Sequence, residues 1–498
     1  MGYPIPKGNS LRGPFQPMRF EATVDECIVT EGEIPKDLAG GFYRVGPAWK
    51  RPTKQGTTAG LTSDGMVQGL VFDNGRVDYK NRWVRTPKYL LEEQHDRSMF
   101  EWLDCNFGDW RDTGFGEVVR DDANRGVSQT TAGTNVFPFA GQMIATHEQG
   151  GPPIALDPIT LETKGIVPWS TKLSEGMIPP AAYGDNAFAA HPKWDHATGD
   201  LFGWTWSDQQ PYLTMHVVNK NGSVRSREIW DAPFATVAHD AWLTQDWLVM
   251  AFQGFVPDRD RYQKQNLSVW GWKPENPIHL ALIPRDAPDT PVRWIKTDLE
   301  PQYIMHTMSA NVVGNKLLLD GPIFNRPPFP FEQDMEEGED VALYFNIARS
   351  SLGRWIVDLD TGHVKAEQLS DRPSELPKVD ERFYGQGYTW GYQVGGIVKR
   401  GGMKMNSLVV TNMETLSDQE YQIRQDEPAA VMEATFAPRS PDSPEGDGYI
   451  IVPISWWADK RGEYQIFDTD DITKGPIAKI ELPFMMGWTP HGHWMDFR

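Results

Sequence analysis

The sequence predicts an all-β protein, and three observations carry that reading. First, short runs rich in Val, Ile, Trp, Tyr and Phe recur along all 498 residues, bounded by 46 Gly and 39 Pro spread evenly. Such runs read as strands between turns. Second, the turns are of hairpin type. Asp73-Asn74-Gly75 separates GLVF from RVDYKNRWV, Asn219-Lys220-Asn221-Gly222 separates TMHVV from SVRSREIW, and Asp360-Thr361-Gly362 separates RWIVDL from HVKAEQL. His196 to Asp200 and Val313-Gly314-Asn315 read the same way. Asn-Gly and related pairs supply the positive φ angles that tight hairpins require. Third, helical periodicity is scarce: residues 88–100 carry the best stretch and 335–341 a weaker one.

No Pro/Ser-rich linker divides the chain, so residues 1–498 read as one unit. A β-propeller uses many strands while leaving only short, protected edges. It also gathers the inner strands of different blades around one axis, where distant segments can meet. No strict WD or kelch repeat sets the number of blades.

Composition excludes several functions. Asp and Glu (68) outnumber Lys and Arg (48), giving a net charge of −20. Nucleic-acid binding needs a clustered basic excess, and so does adhesion to anionic membranes. A hydrophobic fraction of 39%, with 20 Trp, 23 Phe and 15 Tyr, is enough for a large core. Two cysteines, Cys27 and Cys105, point to a reducing cytoplasm. The opening MGYPIPKGNS has no apolar signal-peptide region, and Pro6 stands where a myristoylation motif wants Ser or Thr. No apolar run approaches the roughly 20 residues of a membrane span.

Eleven histidines are present, and most read as structural. His95 lies in a polar run, His196 and His363 in turns, His216 within a strand, and His279 after Asn-Pro-Ile. Four others stand in separated, aromatic-rich segments: His191 in AFAAHPKW, His239 in TVAHDAW, His306 in YIMHTMSANV and His491 in GWTPHGHW. Imidazole is the commonest protein metal ligand, and among small apolar residues it is costly to bury without a partner. His493 competes with His491, because strand alternation puts both on one face. His239-Asp240 also matches the HD dyad of a phosphohydrolase superfamily, but those proteins are helical and this stretch is not. Neither HExxH nor CxxC occurs. Four imidazoles suit Zn, Cu, Fe and Ni alike, so spacing does not choose the metal. Glu148, Glu375 and Glu433 sit in unusually apolar settings. They read either as edge carboxylates or as acceptors for the outward N–H of ligand imidazoles.

These segments, in this order, resemble the carotenoid cleavage oxygenases, in the broad sense that includes bacterial and fungal enzymes acting on stilbenes and phenylpropenes. GEIPKDLAGGFYRVGPAW resembles the family's opening strand and SDGMVQGLVFDNGRVDYKNRWVRT its first hairpin. GTNVFPFAGQMIATHEQGGPPIALDPITLETKG resembles the segment with the first imidazole-orienting glutamate. FAAHPKWDHATGDLFGW, HDAWLT, HTMSANVVG and the closing GPIAKIELPF and PHGHW resemble the four ligand segments. The resemblance implies a seven-bladed β-propeller with a cap of loops and short helices over the axis. It implies Fe(II) held by His191, His239, His306 and His491, the last in a His-Gly-x-Trp pattern that makes His493 the lesser candidate. It implies that Glu148, Glu375 and Glu433 orient three of the imidazoles. It implies that Thr134, in GTNV, restricts an open iron position. The implied chemistry is cleavage of a carbon–carbon double bond by O2 into two carbonyl products, with a small apolar or aromatic alkene held beside the metal.

The sequence departs from the stilbene and phenylpropene branch at one informative place. That branch usually has a lysine before the orienting glutamate, reading the substrate's phenolic oxygen with help from a tyrosine. Here His147 takes the lysine's place, and MFEWLDCNFGDW (99–110) has no tyrosine. That segment reads as core or cap packing, or as an aromatic substrate channel or an apolar face that admits lipids, although Glu101, Asp104 and Asp109 oppose membrane docking. The expected substrate is an aromatic alkene of phenylpropene or stilbene type, since APRSPDSPEGDGYIIVPI reads most like that branch. An apocarotenoid is the alternative within the family. A glycoside hydrolase using paired glutamates and a non-catalytic propeller scaffold are the rivals outside it.

Overall fold

Asn74 and Gly75 both take positive φ, 47° and 79°, and they join strands Gly65–Asp73 and Arg76–Trp83 in an antiparallel hairpin. Left-handed backbone at two successive residues matches the twist of the flanking strands. The other expected hairpins also form, at 195–200, 219–224, 313–316 and 358–364, each with one left-handed glycine (Gly199, Gly222, Gly314 and Gly362). The structure, a computed structural model, describes residues 16, 18–48, 50–51, 64–100, 123–124, 127–128, 130–148, 151–173, 187–265, 270–328, 348–399, 402–423 and 429–498.

Within these residues the protein is nearly all-β, and every paired strand runs antiparallel to its neighbours. Four-stranded meanders are built from 135–166, from 193–229 and from 241–296. The sixteen-residue strand Val364–Val379 belongs to two groups: its first part pairs Ser350–Asp358 and its end pairs Trp390–Lys399. Two sheets join the ends of the chain. Ile28–Gly32 pairs Ala478–Leu482, and Gly40–Pro47 lies between Gly65–Asp73 and His491–Asp496.

Apolar side chains from neighbouring sheets fill the space between them. Trp204, Trp206, Trp242 and Trp355 are all fully buried, and the Trp242 and Trp355 rings lie 5.9 Å apart. The aromatic richness of the sequence is thus largely core. The helix expected over 88–100 is shorter, Pro87–His95, because Asp96 turns left-handed at φ 47° and its N–H closes on the last turn. Residues 101–110 and 335–341, with Cys105, lie outside the described residues. No helix among the described residues is long and apolar enough to cross a membrane.

Gly46 sets how closely the first sheet approaches the segment leading to His491. A Cβ at this position would stand 2.2 Å from the Trp488 carbonyl oxygen and 2.7 Å from Thr489 Cγ2. The backbone carbonyl cannot swing away as a side chain does. Gly46→Ala is therefore expected to destabilise the fold by about 1–3 kcal/mol, the usual cost of overpacking. Urea unfolding checks this, and an unchanged midpoint would contradict it.

Candidate metal centre

Each of the four histidines stands at or just before an edge strand of its sheet. His191 precedes Lys193–Asp195, His239 precedes Ala241–Leu243, His306 lies between Tyr303–Ile304 and Ser309–Val313, and His491 opens His491–Asp496. The sheets bring these edges together. Ring centroids of His191 lie 4.5 Å from His239, 5.3 Å from His306 and 4.5 Å from His491. His306 lies 4.9 Å from both His239 and His491. All four are buried.

Three carboxylates hold three of these rings from behind. Glu148 Oε1 is 2.6 Å from His239 Nδ1, Glu375 Oε2 is 2.8 Å from His306 Nδ1, and Glu433 Oε2 is 2.8 Å from His491 Nδ1. All three glutamates are buried. An imidazole that donates from Nδ1 to a carboxylate presents a lone pair at Nε2. The Nε2 atoms of His239 and His306 face each other at 3.1 Å, and His191 Nε2 is buried with no hydrogen-bond partner among the described residues. Lone pairs converging in a buried space repel unless a cation lies between them. Ligand atoms of His191, His306 and His491 lie within 4.8 Å of one another, as do those of Glu148, His191 and His239. This donor set fits a divalent transition metal, with the carboxylates offsetting its charge.

Burial sets the electrostatics. It drives the His191 imidazole well below its ordinary value, and the neighbouring imidazoles push the same way. Burial also lowers His491, to about 4, against the opposing pull of Glu433. At His306 burial acts downward too, but Glu375 outweighs it and leaves the ring above its ordinary value. Glu433 is held down at about 2: burial acts upward, and Lys378 and His491 overcome it.

His493 is on the same face as His491, as alternation requires, but both its nitrogens are engaged. Nδ1 lies 2.7 Å from Glu381 Oε2 and Nε2 3.1 Å from Asn135 Oδ1. Thr134 is buried, and its hydroxyl accepts the Glu148 N–H at 3.1 Å. His147 is also buried. Its Nδ1 lies 3.0 Å from the Thr131 hydroxyl, and Nε2 has no partner among the described residues. Strand alternation does not separate His147 from Glu148, because the strand Gln142–Thr146 ends before both. Of the remaining histidines, His216 bonds Thr205 and Ser226, and the His196 ring lies tilted against Trp194, with centroids 3.8 Å apart.

A chamber of about 30 Å³ is walled by His191, His306 and His491 together with Lys193, Lys378 and Glu381. It shares Lys378, Glu381, Tyr384 and His493 with a wider cavity of about 360 Å³, whose wall includes Phe137, Phe139, Trp194 and Phe436. His147 lines neither. Sequence reasoning missed Lys378, Glu381 and Asn135. ELPKVDER contains the first two, but nothing local marks that lysine as buried.

Comparison with known proteins agrees with this architecture. The family model for retinal pigment epithelial membrane protein matches residues 15–496. The chain is 29% identical over 496 residues to isoeugenol monooxygenase of Pseudomonas nitroreducens, with 97% of each covered. It is 29% identical over 515 residues to lignostilbene-alpha,beta-dioxygenase isozyme III of Sphingomonas paucimobilis, covering 99% of this chain and 98% of that one. The crystal structure of Pseudomonas brassicacearum lignostilbene dioxygenase superposes with a TM-score of 0.85 at 28% identity, over 99% of this chain and all of that one. With four converging imidazoles, three carboxylates behind them and a family match over nearly its whole length, this chain belongs to the retinal pigment epithelial membrane protein family, that of the carotenoid cleavage oxygenases.

Proposed function

We propose that this protein is a cytoplasmic, non-haem Fe(II) oxygenase that cleaves the carbon–carbon double bond of an aromatic alkene with O2, giving two carbonyl products. The observation that carries the reading is the convergence of His191, His239, His306 and His491, with the Nδ1 sides of the last three turned to carboxylates. The names of the relatives, an isoeugenol monooxygenase and a lignostilbene dioxygenase, support the substrate class. In this reading the described sheets are the blades of one seven-bladed propeller over residues 1–498, with a cap of loops and short helices over its axis.

The four histidines would hold the iron, which when bound supplies the open positions and the electrons that activate O2. The chain's own residues do the rest. Glu148, Glu375 and Glu433 fix ring orientation through Nδ1, select the tautomer whose Nε2 lone pair faces the metal, and make that nitrogen a stronger donor. Thr134 limits access to one side of the centre and is held there through the Glu148 backbone. No paired acid and base is required. The three glutamates each face an imidazole, which argues against the glycosidase arrangement of two carboxyls flanking a sugar bond.

The test is a panel of a phenylpropene, a stilbene and an apocarotenal, incubated with the iron-loaded protein and analysed for carbonyl products by mass spectrometry. Aromatic aldehydes from the first two are expected. Turnover of the apocarotenal alone would shift the assignment to carotenoid chemistry.

His147 replaces the phenol-reading lysine of related enzymes. Burial pushes its imidazole down to about 4, so it is neutral at physiological pH. A neutral imidazole hydrogen-bonds an oxygen but does not stabilise a phenolate as a lysine does. His147 lines neither described cavity, and His147→Lys tests whether it reads substrate: turnover of 4-hydroxylated alkenes should then change relative to their O-methyl ethers. In the wild type that ratio should not follow a titration of His147 between roughly pH 6 and 8. An unchanged ratio in the variant would make His147 purely structural.

A further inference from the structure

Glu433 differs from the other two carboxylates in how thoroughly it is held. Glu148 Oε2 and Glu375 Oε1 are buried without hydrogen-bond partners among the described residues. Both oxygens of Glu433 are engaged: Oε2 with His491 Nδ1 at 2.8 Å, and Oε1 with the Gly492 N–H at 2.9 Å. Oε1 also lies 3.5 Å from Lys378 Nζ. Among the described residues it is the only one of the three glutamates with a lysine or arginine within ion-pair distance.

Lys378 itself is buried at 7% exposure. Its ammonium is 2.7 Å from Glu381 Oε1, and Glu381 in turn holds His493 Nδ1 through its other oxygen. A buried ammonium with two carboxylate partners is fixed in place, because leaving either charge unpaired in the interior is costly. Position along the chain adds to this. Lys378 lies in Val364–Val379, Glu433 lies between Ala430–Val431 and Thr435–Pro438, and His491 opens the last strand. These belong to three different sheets.

We propose that Lys378 is a positioning residue for the metal centre: wedged between Glu381 and Glu433, it pins the Glu433 carboxylate against His491 Nδ1 and Gly492 N–H. Removing the ammonium leaves two buried carboxylates, Glu381 and Glu433, without their shared counter-charge. Glu433 is then free to turn, and the His491 ring loses its fixed orientation. Lys378 touches none of the four histidines through a hydrogen bond or ion pair among the described residues, so its contact with the centre is made through Glu433.

The inference rests on the metal-centre reading above, and the experiment separates the two. Iron is loaded into the wild type, Lys378→Met and Lys378→Arg, and its loss to a chelator is timed. Cobalt-loaded samples report ligand geometry through their visible absorption, and metal-free samples are unfolded thermally. Lys378→Met is expected to lose iron about 10–100-fold faster, the range typical for groups behind the ligands, with an altered cobalt spectrum. Lys378→Arg is expected to stay near wild type. In a Glu433→Gln background, Lys378→Met should add little further loss, because the two act as one unit. If Lys378→Met does not fold, Lys378→Gln carries the same expectation, since it keeps hydrogen bonds but not the charge. Wild-type iron retention and cobalt spectrum in Lys378→Met or Lys378→Gln, with only the unfolding temperature lowered, would overturn the proposal. So would full additivity with Glu433→Gln. A wild type that holds no metal would instead overturn the metal-centre reading, and this inference with it.

Discussion

His491→Ala is expected to abolish most iron binding and turnover, by more than about 100-fold, while His493→Ala retains one iron per chain. The two residues share a strand face, yet only one has a nitrogen to offer. His491 sits 4.5 and 4.9 Å, ring to ring, from His191 and His306. His493 is held at both nitrogens by Glu381 and Asn135. Removing a ligand exceeds the 10–100-fold cost usual for the groups behind it. The same loss is expected for His191, His239 and His306. Metal analysis after desalting checks the series. Full iron in His491→Ala, with loss in His493→Ala, would exchange the two roles.

The second large effect concerns the carboxylates. Glu375→Ala is expected to lower metal affinity or activity about 10–100-fold, and Glu375→Gln clearly less. Glu375 Oε2 accepts from His306 Nδ1 and from the Leu376 N–H. A glutamine oxygen still accepts there, whereas alanine leaves a buried N–H unpaired, at a cost of about 1–3 kcal/mol. Glu148 and Glu433 should follow the same order against His239 and His491. Equal and total loss in both substitutions would point to direct ligation or proton transfer by the carboxylate.

Turns were the most legible part of the fold, because their chemistry is local. Asn74-Gly75 and Thr361-Gly362 carry their turn signal in adjacent residues, and Asn74, Gly75 and Gly362 take the positive φ it calls for. The helix at 87–95 was legible in kind but not in extent, since Asp96 gives little sign in sequence that it will turn left-handed. The four histidines stood out because imidazoles among small apolar residues demand a partner. Their convergence, and the choice of His491 over His493, came from family resemblance. The chain from Glu433 through Lys378 and Glu381 to His493 was not legible. Its successive members are 3 to 112 residues apart and meet only because separate sheets bring their edges together. A lysine in a strand reads as solvent-facing until the surrounding sheets are in place.

The central claim is a centre made of four imidazoles and no carboxylate ligand. X-ray absorption at the iron edge of the Fe(II)-loaded protein tests it most directly. One iron per chain, with the outer-shell scattering of four imidazole rings, is the result this account predicts. Iron bound by fewer rings, with short carboxylate oxygens in their place, would contradict it.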